Sequence, residues 1–263
     1  MNASTKIAVA GATGRVGRHI VDVLTEQGRH VVPISRSHGV DVVTGAGLAD
    51  ALTGVEVVVD AATSPSPAEQ EATDFFTASA RNIQSAGQHA GLRRLVVVSI
   101  VGCDRFGGGY GAAKVVHEQA TLDGAIPARV LRASQFHEFV PQLLEWGTQG
   151  DVAYVPRMRT QLVAARAVAE ALADLATAPE WRPSDPVITE IAGPREERLV
   201  AVARLFAARN GGVERIEEVS DPADPHSDVF ENGGLLPGPE ATLAGPTFEE
   251  WLDALRHGRA GSR

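Results

Sequence analysis

The stretch from Lys6 to Gly28 constrains this chain more than any other. An apolar run, Lys6–Ala10, stops at Gly11-Ala12-Thr13-Gly14-Arg15-Val16-Gly17, and residues 15–27 then carry Val16, Ile20, Val23 and Leu24 at helical spacing until Gly28. A buried strand, glycines spaced G-x-x-G-x-x-G and an opening helix form the context in which a glycine loop cradles a pyrophosphate. Gly11 permits the tight turn, Gly14 lets the backbone approach the anion, and Gly17 lets the helix pack on the strand. The first N–H groups of the helix and the positive end of its dipole suit a phosphate. The motif therefore implies a dinucleotide site. No lysine follows the loop, which argues against an ATP-hydrolysing loop.

The rest of the first half keeps the same rhythm. His30–Ile34 reads as a second strand, 41–43 as a short third, 47–52 as a brief helix and 55–62 as a buried fourth strand. Ser66, Pro67 and Glu69 fit the N-cap, first and third positions of a helix that reaches His89. Residues 94–99 read as a fifth strand, 110–122 as a helix and Ala128–Ala133 as a sixth strand. Val-rich strands separated by helices predict a parallel sheet covered on both faces, with right-handed crossovers. The expected fold is a doubly wound, Rossmann-like α/β domain over residues 1–150. Residues 151–263 predict helices over 164–176 and 196–209, strands over 187–192 and 213–219, and a surface loop over 221–239. The box Thr247-Phe248-Glu249-Glu250 opens a final helix that ends near Gly258. This last part is read as a small substrate cap continuous with the main domain.

Composition narrows the partners. The 263 residues carry a net charge of −9, which argues against nucleic acid or an anionic membrane. A single cysteine, Cys103, excludes an intrachain disulfide framework and a multi-cysteine zinc site. The histidines have no metal-ligand spacing, so no metal is expected. The N-terminus shows no leader pattern and no apolar run reaches membrane length. The expectation is a soluble cytoplasmic protein acting on a small molecule.

The dinucleotide is chosen at the end of the second strand. An NAD site usually has Asp or Glu there to accept from the ribose. This chain has Ser35-Arg36-Ser37, and an arginine can pair bidentately with a 2′-phosphate while the hydroxyls add hydrogen bonds. Arg15 can add a second positive charge. The cofactor expected is NADP(H).

Tyr110-Gly111-Ala112-Ala113-Lys114 places a phenol and an ammonium four residues apart on one helix face. A tyrosine can protonate a carbonyl oxygen as hydride arrives, and a nearby ammonium lowers its pKa of about 10. The same lysine can hydrogen-bond the nicotinamide ribose. The sequence holds only two tyrosines and two lysines, so this pairing carries weight.

With GATGRVG at the N-terminus and YGAAK after the fifth strand, the chain resembles the short-chain dehydrogenase/reductases. VVVSIVG at 96–102, LRASQFHEFV at 131–140 and GPTFEEWLDAL at 245–255 resemble an atypical, NmrA-like branch with an NAD(P)H-binding fold. The resemblance spans nearly the whole chain. It implies that Gly11, Thr13, Gly14, Arg15, Val16 and Gly17 hold the pyrophosphate and that Ser35 and Arg36 hold the 2′-phosphate. It also implies that Ala61, Ala62 and Thr63 line the adenine or ribose, and that a substrate-orienting hydroxyl lies near Ser99. Ile100 and Val101 follow Ser99 where many members carry more hydroxyls. A homodimer through long helices is common in that family. Its branch includes quinone and carbonyl reductases, sugar-nucleotide-like enzymes and non-catalytic redox sensors.

Other residues are weaker candidates. Gln135, Phe136 and His137 follow the sixth strand at the crevice where ligands bind in this fold, and His137 and Phe136 are candidates for substrate contact. Arg157 and Arg159 could greet an acidic substrate, whereas Asp221, Asp224, His226 and Asp228 read as a solvated loop. Cys103 reads as a small buried thiol. The expected function is an NADPH-dependent oxidoreductase that passes hydride to a carbonyl, quinone or conjugated acceptor. Tyr110 is its acid, Lys114 tunes the phenol, and Ser99 or His137 orients the acceptor. The alternatives are an NADP(H)-binding redox sensor and a redox-neutral epimerase or isomerase with bound cofactor.

Overall fold

The computed structural model describes residues 5–221 and 223–260, with side chains through residue 255. Residues 1–4, where the N-terminal reading begins, and Pro222 within the 221–239 loop lie outside the described residues. In chain order the elements are β1 (Lys6–Ala10), α1 (Gly17–Glu26), β2 (His30–Ile34), α2 (Leu48–Ala51), β3 (Val57–Asp60), α3 (Glu69–Ala90), β4 (Arg94–Ile100), α4 (Gly109–Leu122) and β5 (Ala128–Ala133). They continue with α5 (Phe139–Gly147), β6 (Thr148–Gln149), β7 (Val152–Pro156), β8 (Arg159–Thr160), α6 (Ala165–Thr177), β9 (Ile188–Ala192) and β10 (Glu197–Arg198). The last are α7 (Leu199–Asn210), β11 (Arg215–Val219), α8 (Ser227–Glu231), β12 (Thr242–Leu243) and α9 (Phe248–Ala260). Among the described residues no helix is long and apolar enough to cross a membrane.

The chain forms two compact units, one running to Arg132 and including Val168–Thr189, the other made of Ala133–Ala167 and the residues from Glu190 on. The chain thus leaves the first unit at the end of β5 and returns to it, where the sequence suggested a single division at residue 150.

In the first unit β2, β1, β3, β4 and β5 lie side by side in that order. The registers are parallel, pairing Lys6 with His30, Ile7 with Val57, and Val57 with Arg94. This is the doubly wound α/β arrangement. β1 sits between β2 and β3, so the chain reverses its direction of winding there, and the crevice at the carboxyl ends of these strands is where such sheets bind ligands. All four residues of β3 are buried, as they must be in a sheet covered on both faces. Ala8, Ile34, Leu48, Val58, Ile83 and Leu95 share one side of this core. The 22-residue α3 buries Ala72, Phe76, Ala80, Ile83 and Gly87 in one stripe, and Gly91, at φ +77°, ends it.

Three local expectations are corrected. Residues 41–43 are a turn, because the Asp41 carboxylate accepts from the Val43 N–H at 2.8 Å and Asn82 of α3 donates to the Val42 and Val43 carbonyls. The helix expected from Ser66 starts at Glu69: Ser66 Oγ accepts from the Ala68 N–H, and Ala68 is still extended. The 221–239 segment contains the short helix α8.

The second unit has its own core, with Val140, Leu162, Val202, Phe248 and Leu252 packed together. Its sheets are β11-β7-β6 and β10-β8. β12 pairs in parallel with the end of β9. The expected capping box is formed: Thr247 Oγ1 accepts from the Glu250 N–H at 3.3 Å, and Glu250 accepts from the Thr247 N–H at 2.8 Å.

Candidate active site

The glycine loop leaves no room for side chains at two of its positions. Gly11 adopts φ +73°, and a Cβ there would lie 2.5 Å from the Ala61 carbonyl oxygen. The Gly14 N–H closes the turn on the Gly11 carbonyl at 2.8 Å, and a Cβ on Gly17 would overlap that carbonyl. Beside the loop opens a cleft of about 600 Å³. Its walls include Gly11, Thr13 and Gly14 of the loop, Ser35, Arg36 and Ser37 after β2, and Ala61, Ala62 and Thr63 after β3. Val40, Val42, Val43, Pro65 and Phe75 supply an apolar side. Arg15, Val16 and Gly17 carry the loop on into α1, with Val16 buried at its N-cap.

Thr63 connects this cleft to the tyrosine. Its hydroxyl lies 2.7 Å from that of Tyr110 in the first turn of α4. Burial holds the Tyr110 pKa above its ordinary value, and the Thr63 hydrogen bond opposes that only in part. The first turn of α4 is anchored from α3: Glu69 accepts from the Gly109 N–H at 2.7 Å, an acid at a helix N-terminus. A Cβ on Gly111 would lie 2.7 Å from the Phe106 ring, so this turn also packs closely against the preceding loop.

Lys114 points inward. Its ammonium donates to the Val98 carbonyl at 2.9 Å, meets His117 Nδ1 at 2.9 Å and lies 4.5 Å from the centre of the Phe76 ring. Burial lowers its pKa to about 8, against the opposing pull of Asp60, Glu118 and Cys103. His117 Nε2 in turn lies 3.2 Å from Asp60 Oδ2. The pair expected from the sequence thus shares a helix, with the phenol facing Thr63 and the ammonium facing Val98 and His117.

Ser99 is buried in a separate cluster, where it meets Cys103 and hydrogen-bonds the Glu118 carboxylate. Glu118 takes a bidentate pair from Arg132, at 2.9 and 2.8 Å, and Arg132 also reaches Asp104 at 2.7 Å. Burial raises the Glu118 pKa, but Arg132 outweighs it and holds the carboxyl below its usual range. The Cys103 thiol is pushed up to about 11, first by burial and then by Glu118, which leaves it a poor nucleophile.

In the second unit His137 is fully buried against Phe248 and Trp251, with Nε2 at 3.0 Å from the Pro246 carbonyl. Burial lowers its pKa, so the ring is neutral, Nε2–H donates and Nδ1 is an acceptor. His137 Nδ1, Gln135 Nε2 and Ser134 Oγ are buried with no hydrogen-bond partner among the described residues. Phe136 is half-buried and bridges to Val163. Arg157 and Arg159 pair with Glu218, Glu231 and Glu196.

Sequence reasoning missed the apolar wall of Val40, Val42, Val43, Pro65 and Phe75, and it missed Asp60, His117 and Glu69. His117 follows Lys114 by three residues, a spacing that signals a shared helix face. Asp60 and Glu69 gave no comparable signal.

A family model described as NAD(P)H-binding matches residues 11–179. No curated protein matches the sequence. Among solved structures, one similar fold is a short-chain dehydrogenase/reductase superfamily protein from Agrobacterium tumefaciens with bound NAD, at 20% identity, TM-score 0.68 and 97% coverage of each chain. An NADPH-dependent quinone oxidoreductase from Escherichia coli aligns at 19% identity and TM-score 0.64, covering 95% of this chain and 99% of that one. A UDP-N-acetylglucosamine 4-epimerase from Bacillus cereus aligns at 15% and 0.70, covering 99% and 98%. At these identities the likeness is one of fold.

Proposed function

Because this chain belongs to the NAD(P)H-binding family, we propose that it is an NADPH-dependent oxidoreductase that reduces a carbonyl, quinone or conjugated acceptor. The observation that carries this reading is the Thr63–Tyr110 hydrogen bond, which joins a phenol O–H to a residue of the glycine-loop cleft wall. The Tyr110 phenol, held above its ordinary pKa by burial rather than lowered by Lys114, is protonated at neutral pH and so has a proton to give an acceptor oxygen.

The residues present fit a dinucleotide. The Gly11–Gly17 packing leaves backbone where a pyrophosphate would lie, and the apolar wall of Val40, Val42 and Phe75 suits an adenine. Arg36, with Ser35 and Ser37, would hold a 2′-phosphate. The Asp41 carboxylate of the same cleft is taken up by the Val43 and Thr44 N–H groups. When bound, the nicotinamide supplies hydride. Tyr110 would protonate the acceptor oxygen with Thr63 holding the phenol in place, and Lys114 would help hold the ribose. Within the second unit, His137, whose Nδ1 has no hydrogen-bond partner among the described residues, and Phe136 are the candidates for substrate contact.

The test is a titration of the purified protein with NADPH and with NADH, followed by a screen of quinones and carbonyls for loss of nicotinamide absorbance. Tight NADPH binding, at least tenfold over NADH, together with turnover of an acceptor is the expected result. Binding of neither nucleotide would remove the reading.

A further inference from the structure

Lys114, His117 and Asp60 form a buried chain whose protons have one consistent arrangement. A carboxylate only accepts and an ammonium only donates. The imidazole between them, 2.9 Å from Lys114 Nζ and 3.2 Å from Asp60 Oδ2, must therefore carry its hydrogen on Nε2 and offer a bare Nδ1 to the lysine. Asp60 is itself fixed, since its other oxygen accepts from the Ala62 N–H at 2.9 Å. Phe76 stacks on the imidazole at 4.5 Å and 16° and also lies beneath the ammonium. None of the three polar residues is more than 4% exposed. Buried charge on this scale is costly unless each group has a partner of the right kind.

We infer that Asp60 and His117 are positioning residues for Lys114. The carboxylate sets the imidazole tautomer, and the imidazole with the Val98 carbonyl then takes two of the ammonium's three N–H groups. An ammonium held in this way, above the Phe76 ring, would offer its remaining N–H to the ribose of a nicotinamide cofactor. That final step rests on the function proposed above; the tautomer and the orientation of the ammonium do not. The groups facing the ammonium are Asp60 from β3, Cys103 from the turn after β4, and His117 and Glu118 from its own helix. Asp60 and Glu118 favour its charge against burial. An imidazole of the wrong tautomer would turn an N–H toward it instead.

The sequence makes this measurable, because Lys6 and Lys114 are its only lysines. Protein labelled with ¹³C at the lysine ε-carbon gives two resonances, which Lys6→Arg assigns, and ¹⁵N-histidine reports the His117 tautomer. In the cofactor-free wild type His117 is expected as the neutral Nε2–H form. In Asp60→Asn the amide would donate toward Nε2, the ring would switch to Nδ1–H, and Lys114 would titrate at least one pH unit lower. NADPH affinity at pH 7.5 should then fall about tenfold in Asp60→Asn and in His117→Phe. His117→Asn, whose side-chain oxygen can replace Nδ1, should recover most of that loss.

A wild-type His117 in the Nδ1–H or doubly protonated form overturns the inference without any variant. So does an Asp60→Asn protein in which the tautomer and the Lys114 titration are unchanged. A tautomer switch with NADPH affinity equal to wild type would refute positioning and leave the proposed function standing. A wild type that binds neither nucleotide would remove the function, and the positioning role with it.

Discussion

The hydroxyls of Thr63 and Tyr110 lie 2.7 Å apart, although the residues are 47 positions apart in the chain and belong to the end of one strand and the first turn of a later helix. Tyr110→Phe is expected to lower kcat at least 10²-fold, the loss typical of a general acid, while NADPH affinity stays within twofold. Thr63→Val should cost only the neutral hydrogen bond that orients the phenol, about 1 kcal/mol or fivefold in kcat. Steady-state kinetics on both variants decide the roles. A Tyr110→Phe enzyme with unchanged kcat would remove Tyr110 as the acid.

Arg36 stands where the second strand ends, flanked by two serines on the cleft wall. Arg36→Asp is expected to weaken NADPH binding by at least tenfold and to leave NADH binding the same or stronger, since a carboxylate there accepts from ribose and repels a 2′-phosphate. Paired titrations give the ratio. Equal losses for both nucleotides would mean that the 2′-phosphate is recognised elsewhere.

Gly17→Ala puts a methyl group into the Gly11 carbonyl, so the loop or the helix must move. The expected result is a destabilisation of about 1–3 kcal/mol, as for other overpacked sites, and loss of nucleotide binding at millimolar concentration. Denaturant unfolding and a binding titration on the same variant check both.

The buried ammonium makes stability depend on pH in a definite direction. The folded chain releases the Lys114 proton near pH 8, whereas an unfolded lysine keeps it to about pH 10.4. Between those values the unfolded state binds more protons, so this group's contribution to stability rises with pH, and it is lost as pH falls through 8. The stability gap between Lys114→Met and the cofactor-free wild type should therefore move in favour of the wild type as pH rises from about 7 to about 10, because only the wild type carries this proton linkage. Urea unfolding of both proteins at the two pH values tests this. A gap that stays the same at both pH values would assign the whole effect to packing.

Glu118 neutralises Arg132 inside the fold, and each leans on the other for burial. Glu118→Gln leaves Asp104 as the one carboxylate paired with the guanidinium and should cost about 3 kcal/mol, seen as a lower denaturation midpoint with an unchanged denaturant slope.

Much of the first unit could be read in advance because its signals are local. The glycine spacing, the Val-rich runs and Gly28 each act within a few residues. The 41–43 strand was misread because its apolar pattern competes with an Asp41 turn and with Asn82, 39 or more residues away. Lys114 and Tyr110 were found by spacing, but spacing does not say which way a side chain turns. Only the position of β3 beside α4 gives Lys114 its His117–Asp60 chain and gives Tyr110 its Thr63. Ser99 stands at the right end of the right strand, yet its hydroxyl is drawn into the cluster with Glu118. The limits of the two units were hidden for a related reason: the chain crosses between them more than once, and no change of composition marks the crossings.

One consequence follows from the anchoring of α4. The segment from Thr63 to Glu69 grips the first turn of that helix at both of its ends, through the Tyr110 hydroxyl and the Gly109 amide. A single hydrogen bond would act as a pivot, about which the phenol could swing. Two, spaced along the segment, act as a clamp and remove that rotation. Pro65 in the middle of the same segment is also part of the cleft wall. A displacement of that wall would therefore also turn the phenol, so occupancy of the cleft and the angle of the Tyr110 hydroxyl would change together.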